Sequence, residues 1–152
     1  MEKVNIQGVP ETMLQTLFAR AAHSQKKGHR FYDGQAIEMV QQLDYDFSKA
    51  EKDTAMSSGV IARTILLDRM VGDFIRNNPD AVVVNLACGL DTRVYRLDNG
   101  RIRWYNLDLP EVIHIRRRFF KEQGRISTIA KSATDKRWAA EVTKPTGRAL
   151  IL

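Results

Sequence analysis

The residues whose types and spacing say most about chemistry are Ala87-Cys88-Gly89, which end the run Val82-Val83-Val84-Asn85-Leu86, and Asp108, which ends a second apolar run. A small-residue turn after one strand, with a carboxylate about 20 residues on after the next, is how a parallel sheet holds a nucleoside. Cys88 and Gly89 bring the backbone close to a ligand, because a small side chain and a missing Cβ leave room above the strand end. The Asp108 carboxylate can accept hydrogen bonds from both hydroxyls of a ribose. Each signal also has a plainer reading, since a lone glycine marks a turn and an aspartate at a strand end caps a helix. The turn lacks the spaced glycines that cradle a dinucleotide pyrophosphate, which disfavours a nicotinamide-dependent enzyme.

The elements that must position these residues follow from hydrophobic period. Val82, Val83, Val84 and Leu86 form a run without alternation, as suits a central strand buried on both faces, and Ile102 to Leu107 and Ile126 to Ala130 are the next candidate strands. Upstream, Thr12 to Ala22 carries Met13, Leu14, Leu17, Phe18 and Ala21 at helical spacing. Asp33-Gly34 is a turn, Gln35 to Leu43 a second helix, Asp44 to Lys52 a polar connection, and Ser58 to Asn77 a longer helix stopped by Asn78-Pro79. Helices then alternate with strands, which favours a parallel sheet of βαβ units. The expected division is a helical region, residues 1–78, before an α/β region, residues 79–152.

Val-Val-Asn-Leu-Ala-Cys-Gly-Leu-Asp-Thr-Arg from Val83 to Arg93, with Trp104-Tyr105-Asn106-Leu107-Asp108-Leu109-Pro110-Glu111-Val112-Ile113, resembles the leucine carboxyl methyltransferase family, including its bacterial polyketide-type O-methyltransferases. The resemblance extends to Glu11-Thr12-Met13-Leu14, Phe18-Ala19-Arg20-Ala21, Asp44-Tyr45-Asp46-Phe47-Ser48, Lys131-Ser132-Ala133-Thr134-Asp135 and Trp138. It implies a Rossmann-like class I methyltransferase sheet, residues 79–152 being its first half, and S-adenosyl-L-methionine as cofactor. The implied cofactor contacts are Ala87, Cys88, Gly89, Asp108 and Leu109, with Arg63 on the cofactor's carboxylate, Asp135 accepting from the adenine amino group and Lys136 flanking it. Arg20 aligns more loosely as a second positive group. The reaction implied is methyl transfer to a carboxylate or hydroxyl oxygen of a small molecule or peptide, with no residue nominated as a base. A non-catalytic cofactor-binding module is the alternative.

Other roles stay open for several of these residues. Arg63 could sit in a surface ion pair, Asp135 could cap a helix before Trp138, and Asp91 and Arg93 could order the glycine turn by an ion pair of their own. Tyr32 and His29 read as surface or packing residues. The single cysteine forms no intramolecular disulfide, suits a reducing compartment and reads as a space-filler; His23, His29 and His114 lie apart, so no metal site is expected.

The net charge of +6 raises the question of nucleic acid, but the one dense cluster, Arg116-Arg117-Arg118, lies among Val112, Ile113, Ile115, Phe119 and Phe120 at helical spacing and reads as a solvated helix face. Neither a nucleic-acid nor a membrane partner is expected: no stretch is long enough to span a bilayer, and Met1 to Pro10 has no apolar leader segment, so the cytoplasm is the default. Arg148 to Leu152 reads as the start of a strand without a stop signal, and the expected catalytic domain runs on for roughly another hundred residues. The expectation for the chain alone is an uncovered sheet edge, with instability or homo-oligomer formation through it.

Overall fold

The computed structural model describes residues 10–143 and 147–152; most of the stretch read as lacking a leader segment lies outside them. The chain forms two compact units, Met1–Met70 and Val71–Leu152, whose boundary falls within one long helix.

In the first unit, α1 (Glu11–Ser24) buries Leu14, Leu17 and Ala21, the apolar stripe its sequence carries, and packs against α2 (Gly34–Gln42) and α3 (Ser48–Lys52). Asp33 starts α2, its carboxylate accepting the Ala36 N–H at 3.0 Å. The segment expected to be a polar connection contains α3. Asp46 accepts the Ser48 N–H at 2.9 Å and its hydroxyl at 3.0 Å just before the helix, and Ala50 is buried on it. The long helix α4 (Thr54–Asn77) starts earlier than expected, because Asp53 caps the Met56 N–H at 2.9 Å.

The second unit is built on a four-stranded parallel sheet of order β3-β2-β1-β4, made of β1 (Val82–Leu86), β2 (Arg103–Asp108), β3 (Ile126–Ala130) and β4 (Ala149–Ile151). Val83, Trp104 and Ile102 on one face pack with Val94 of α5 (Arg93–Leu97) and with Val71 and Ile75 from the end of α4. On the other face, Val82, Val84, Tyr105, Leu107 and Ile129 pack with Trp138 and Val142, from and after the 3₁₀ turn Lys136–Ala140. Burial on both faces explains the unalternating strands. The helix α6 (Pro110–Phe119), opened by Pro110 at its first position, connects β2 to β3. The sheet grows from β1 through β2 to β3 on one side, then returns to place β4 on the other side of β1. That reversal opens a crevice beyond the carboxyl ends of the strands, where doubly wound sheets bind ligands. β4 is an edge strand with Ile151 exposed. No described helix is long and apolar enough to cross a membrane.

Candidate functional site

Beyond the carboxyl end of β1 the backbone turns sharply. Ala87 takes a φ of 50° and Gly89 one of 49°, the left-handed region that a Cβ disfavours. The Gly89 N–H donates to Asp108 Oδ2 at 2.8 Å, and the Leu109 N–H to Asp108 Oδ1 at 2.8 Å. One carboxylate thus ties the turn after β1 to the start of α6, with a further lone pair on each oxygen for a ligand hydroxyl. The Cys88 N–H reaches the Leu107 carbonyl at 3.1 Å, and the Asp91 N–H closes the turn on the Cys88 carbonyl at 2.8 Å. Leu109, 43 % exposed, leaves an apolar surface beside the carboxylate. Ala87, Cys88, Gly89, Asp108 and Leu109 are therefore gathered at one place.

Beneath the turn lies a polar network. Asn85 and Asn106 are register partners on β1 and β2, and Asn85 Nδ2 donates to Asn106 Oδ1 at 3.2 Å and to Asp91 Oδ2 at 2.9 Å. Arg93 Nη1 meets the same Asp91 oxygen at 2.8 Å, the internal ion pair that was one of the sequence readings. Asn106 also accepts from Trp104 Nε1 at 2.8 Å and donates to Glu122 Oε1 at 3.0 Å. Glu122 in turn accepts from the Tyr95 hydroxyl at 2.7 Å and from Arg116, through Nε at 2.8 Å and Nη2 at 2.6 Å.

Arg116 corrects an expectation. Arg117 and Arg118 are exposed as a solvated face requires, but the Arg116 side chain has no solvent exposure. Its position explains this, because Val112, Ile113 and Arg116 share the buried face of α6. Beyond the Glu122 pair, its Nη1 donates to the Gly89 carbonyl at 3.0 Å and the Asp91 carbonyl at 2.8 Å, and its guanidinium lies 4.6 Å from the Phe120 ring centroid. Reading by charge cluster missed Arg116 and Glu122. The signals that could have found them are an arginine at a core-facing helical position and an asparagine within the buried stretch of each of two neighbouring strands.

Cys88 is buried, and burial pushes its thiol from 9.0 up to about 12. At pH 7 only about one thiol in 10⁵ is ionised, so the side chain packs rather than reacts. A thiol whose value is raised on folding contributes stability in full below its unfolded value, and that stability is lost as pH climbs toward 12. Tyr95, raised by burial and by its bond to Glu122, acts with the same sign. The stability lost between pH 9 and 10.5 should therefore be about 2 kcal/mol larger for the parent chain than for Cys88→Ala, read from urea midpoints at each pH. Equal losses would contradict the buried, protonated thiol.

Asp135 and Lys136 follow β3 and start the 3₁₀ turn. Asp135 accepts the Arg137 N–H at 3.1 Å as a cap and pairs with the Arg137 side chain at 2.8 Å, which holds its carboxyl down at about 2. Lys136 is exposed, and no hydrogen bond among the described residues joins either residue to Asp108. The remaining two belong to the first unit. Arg20 is buried, with Nε on Asp33 Oδ2 at 3.0 Å and Nη1 on the Thr16 carbonyl at 3.3 Å. Arg63 is exposed on α4, lines a groove with Thr12, Thr16 and Met56, and makes no ion pair among the described residues. His29 and Tyr32 are exposed with ring centroids 5.7 Å apart. The described residues hold no cluster of His, Cys, Asp or Glu suited to a metal ion.

Comparison with known proteins accords with this geometry. The model of the leucine carboxyl methyltransferase family matches residues 13–144. The tetracenomycin polyketide synthesis O-methyltransferase TcmP of Streptomyces glaucescens is 37% identical over 144 residues, covering 94% of this chain and 53% of the relative. The S-adenosyl-L-methionine-dependent methyltransferase dpfgK of Gibberella zeae is 31% identical over 165 residues, covering 99% of this chain and 55% of the relative. The chain thus spans about half the length of these curated relatives. Its match to the family pattern takes in the glycine turn, Asp108 and the strands that carry them, and the chain belongs to the leucine carboxyl methyltransferase family.

Proposed function

We propose that this chain is the cofactor-binding portion of an S-adenosyl-L-methionine-dependent O-methyltransferase. The observation that carries the reading is the Asp108 carboxylate, bonded to the Gly89 and Leu109 N–H groups at the mouth of the crevice. The donor set fits a nucleoside: Asp108 retains acceptor capacity for the ribose hydroxyls, Gly89 presents no Cβ, and Leu109 offers an apolar surface for a base. Arg63 is assigned to the carboxylate of the cofactor's methionine part, supported by the motif match and by its exposed guanidinium, which makes no ion pair among the described residues. Asp135, held ionised by Arg137, and the neighbouring Lys136 are assigned to the adenine end, and Arg20 to a supporting charge.

The cofactor, when bound, supplies a methyl group on a sulfonium leaving group, open to in-line displacement by an oxygen nucleophile. The residues described here contribute position, holding the ribose and base and keeping the turn backbone in place. A carboxylate acceptor needs no base at neutral pH, whereas a hydroxyl acceptor needs one. A small-molecule acceptor is supported by TcmP, whose name places it in polyketide synthesis. Calorimetric titration with S-adenosyl-L-methionine tests the reading. Saturable one-site binding is expected, and a folded chain that binds neither this cofactor nor its demethylated product would contradict it.

A further inference from the structure

We infer that the buried Arg116–Glu122 pair is a positioning device for the cofactor turn, fixing the backbone of residues 87–91 in its ligand-ready shape. The inference rests on the cofactor-binding reading of that turn. Arg116 and Glu122 side chains have 0% and 2% of their surface exposed. Desolvating two such charges costs about as much as their attraction returns, so a buried pair is weak evidence for stability as such and better evidence for a conformation being specified. The conformation at stake is an unfavourable one. Ala87, which carries a Cβ, sits at a φ of 50°, a strain that persists only where the surroundings over-determine it.

Arg116 supplies that over-determination. One edge of its guanidinium is clamped by both Glu122 oxygens, which leaves Nη1 aimed at the Gly89 and Asp91 carbonyls. The turn is thereby held from both sides, its carbonyls by α6 and its Gly89 N–H by Asp108. Glu122 is itself fixed by Asn106 and Tyr95, and Asn106 connects through Asn85 to the Asp91 carboxylate. The contacts close a ring that starts and ends at Asp91. Arg116 touches the turn and not the ligand, so its part is positioning. A lysine could not replace it, because a point ammonium cannot engage both carboxylate oxygens and both carbonyls at once.

The test is Arg116→Lys, which keeps the charge beside Glu122, with two readouts on the folded protein: affinity for S-adenosyl-L-homocysteine by calorimetry, and amide hydrogen exchange. The expected result is affinity at least tenfold weaker, with faster exchange confined to the Cys88–Asp91 amides while the sheet amides of Val83 and Tyr105 keep their protection. A purely structural role predicts a lower melting temperature with unchanged affinity of the folded protein and no local change in exchange, and that result overturns the inference. If Arg116→Lys does not fold, Arg116→Met with Glu122→Gln removes both charges together, keeps an acceptor for Asn106 and Tyr95, and is read by the same criteria. Should the parent chain fail to bind S-adenosyl-L-homocysteine, the cofactor reading fails, and exchange at Cys88–Asp91 still decides whether the pair fixes the turn.

Discussion

Asp108→Ala should weaken S-adenosyl-L-methionine binding by at least about 100-fold. On the proposed function the substitution removes two charge-assisted hydrogen bonds to ribose hydroxyls, each worth on the order of 1.5–3 kcal/mol, and every 1.4 kcal/mol is tenfold in affinity. The substitution also takes the acceptor from the Gly89 and Leu109 N–H groups, so part of the loss passes through the turn. Asp108→Asn separates these contributions. It retains one acceptor oxygen but no charge, and its expected loss is smaller, about tenfold. Isothermal titration of the three proteins at one salt concentration gives the comparison. Alanine and parent affinities within a factor of three of each other would remove Asp108 from the site.

Trp104→Ala should lower the unfolding free energy by about 3–5 kcal/mol, the range for an aromatic side chain deleted from a core. Trp104 has no exposed surface, and it packs with Val71, Ile75, Val83, Val94 and Ile102 on the α5 face of the sheet. It is also the point where apolar core and polar network meet, because its indole N–H donates to Asn106 Oδ1. Trp104→Phe keeps most of the apolar volume and loses that bond, with an expected cost of about 1–2 kcal/mol. Urea midpoints at constant slope check both values. An alanine variant costing no more than the phenylalanine variant would mean that the packing around Trp104 carries little of the stability.

Much of this was legible in the sequence, for physical reasons. β1 could be read because Val82, Val83 and Val84 lie within a strand covered on both faces, which leaves no position for a solvent-facing polar residue. The Asp108 carboxylate and the glycine turn were legible because both are local consequences of a strand ending in a parallel sheet. The start of α4 was missed through its Asp53 cap, and α3 because its five residues follow an Asp46–Ser48 turn in a polar stretch. Asp53 and Asp46 stand in polar stretches that resemble loops until their carboxylates are seen on backbone N–H groups. Arg116 was hidden differently. A run of arginines averages to a charged surface, whereas helical phase turns Arg116 inward while Arg117 and Arg118 stay in water. Its partners Glu122, Gly89 and Asp91 come from segments that only the folded sheet brings together.

The proposed function makes the Gly89 turn and the Asp108 carboxylate the seat of a nucleoside cofactor. The most direct measurement is a residue-resolved NMR titration of the isotope-labelled chain with S-adenosyl-L-homocysteine. The Gly89 and Leu109 amides, both bonded to Asp108, are expected to shift in a saturable way with the affinity found by calorimetry, while the Val82 and Arg103 amides at the far ends of β1 and β2 stay still. Saturable binding that leaves Gly89 and Leu109 unmoved would place the ligand elsewhere and overturn the proposed site.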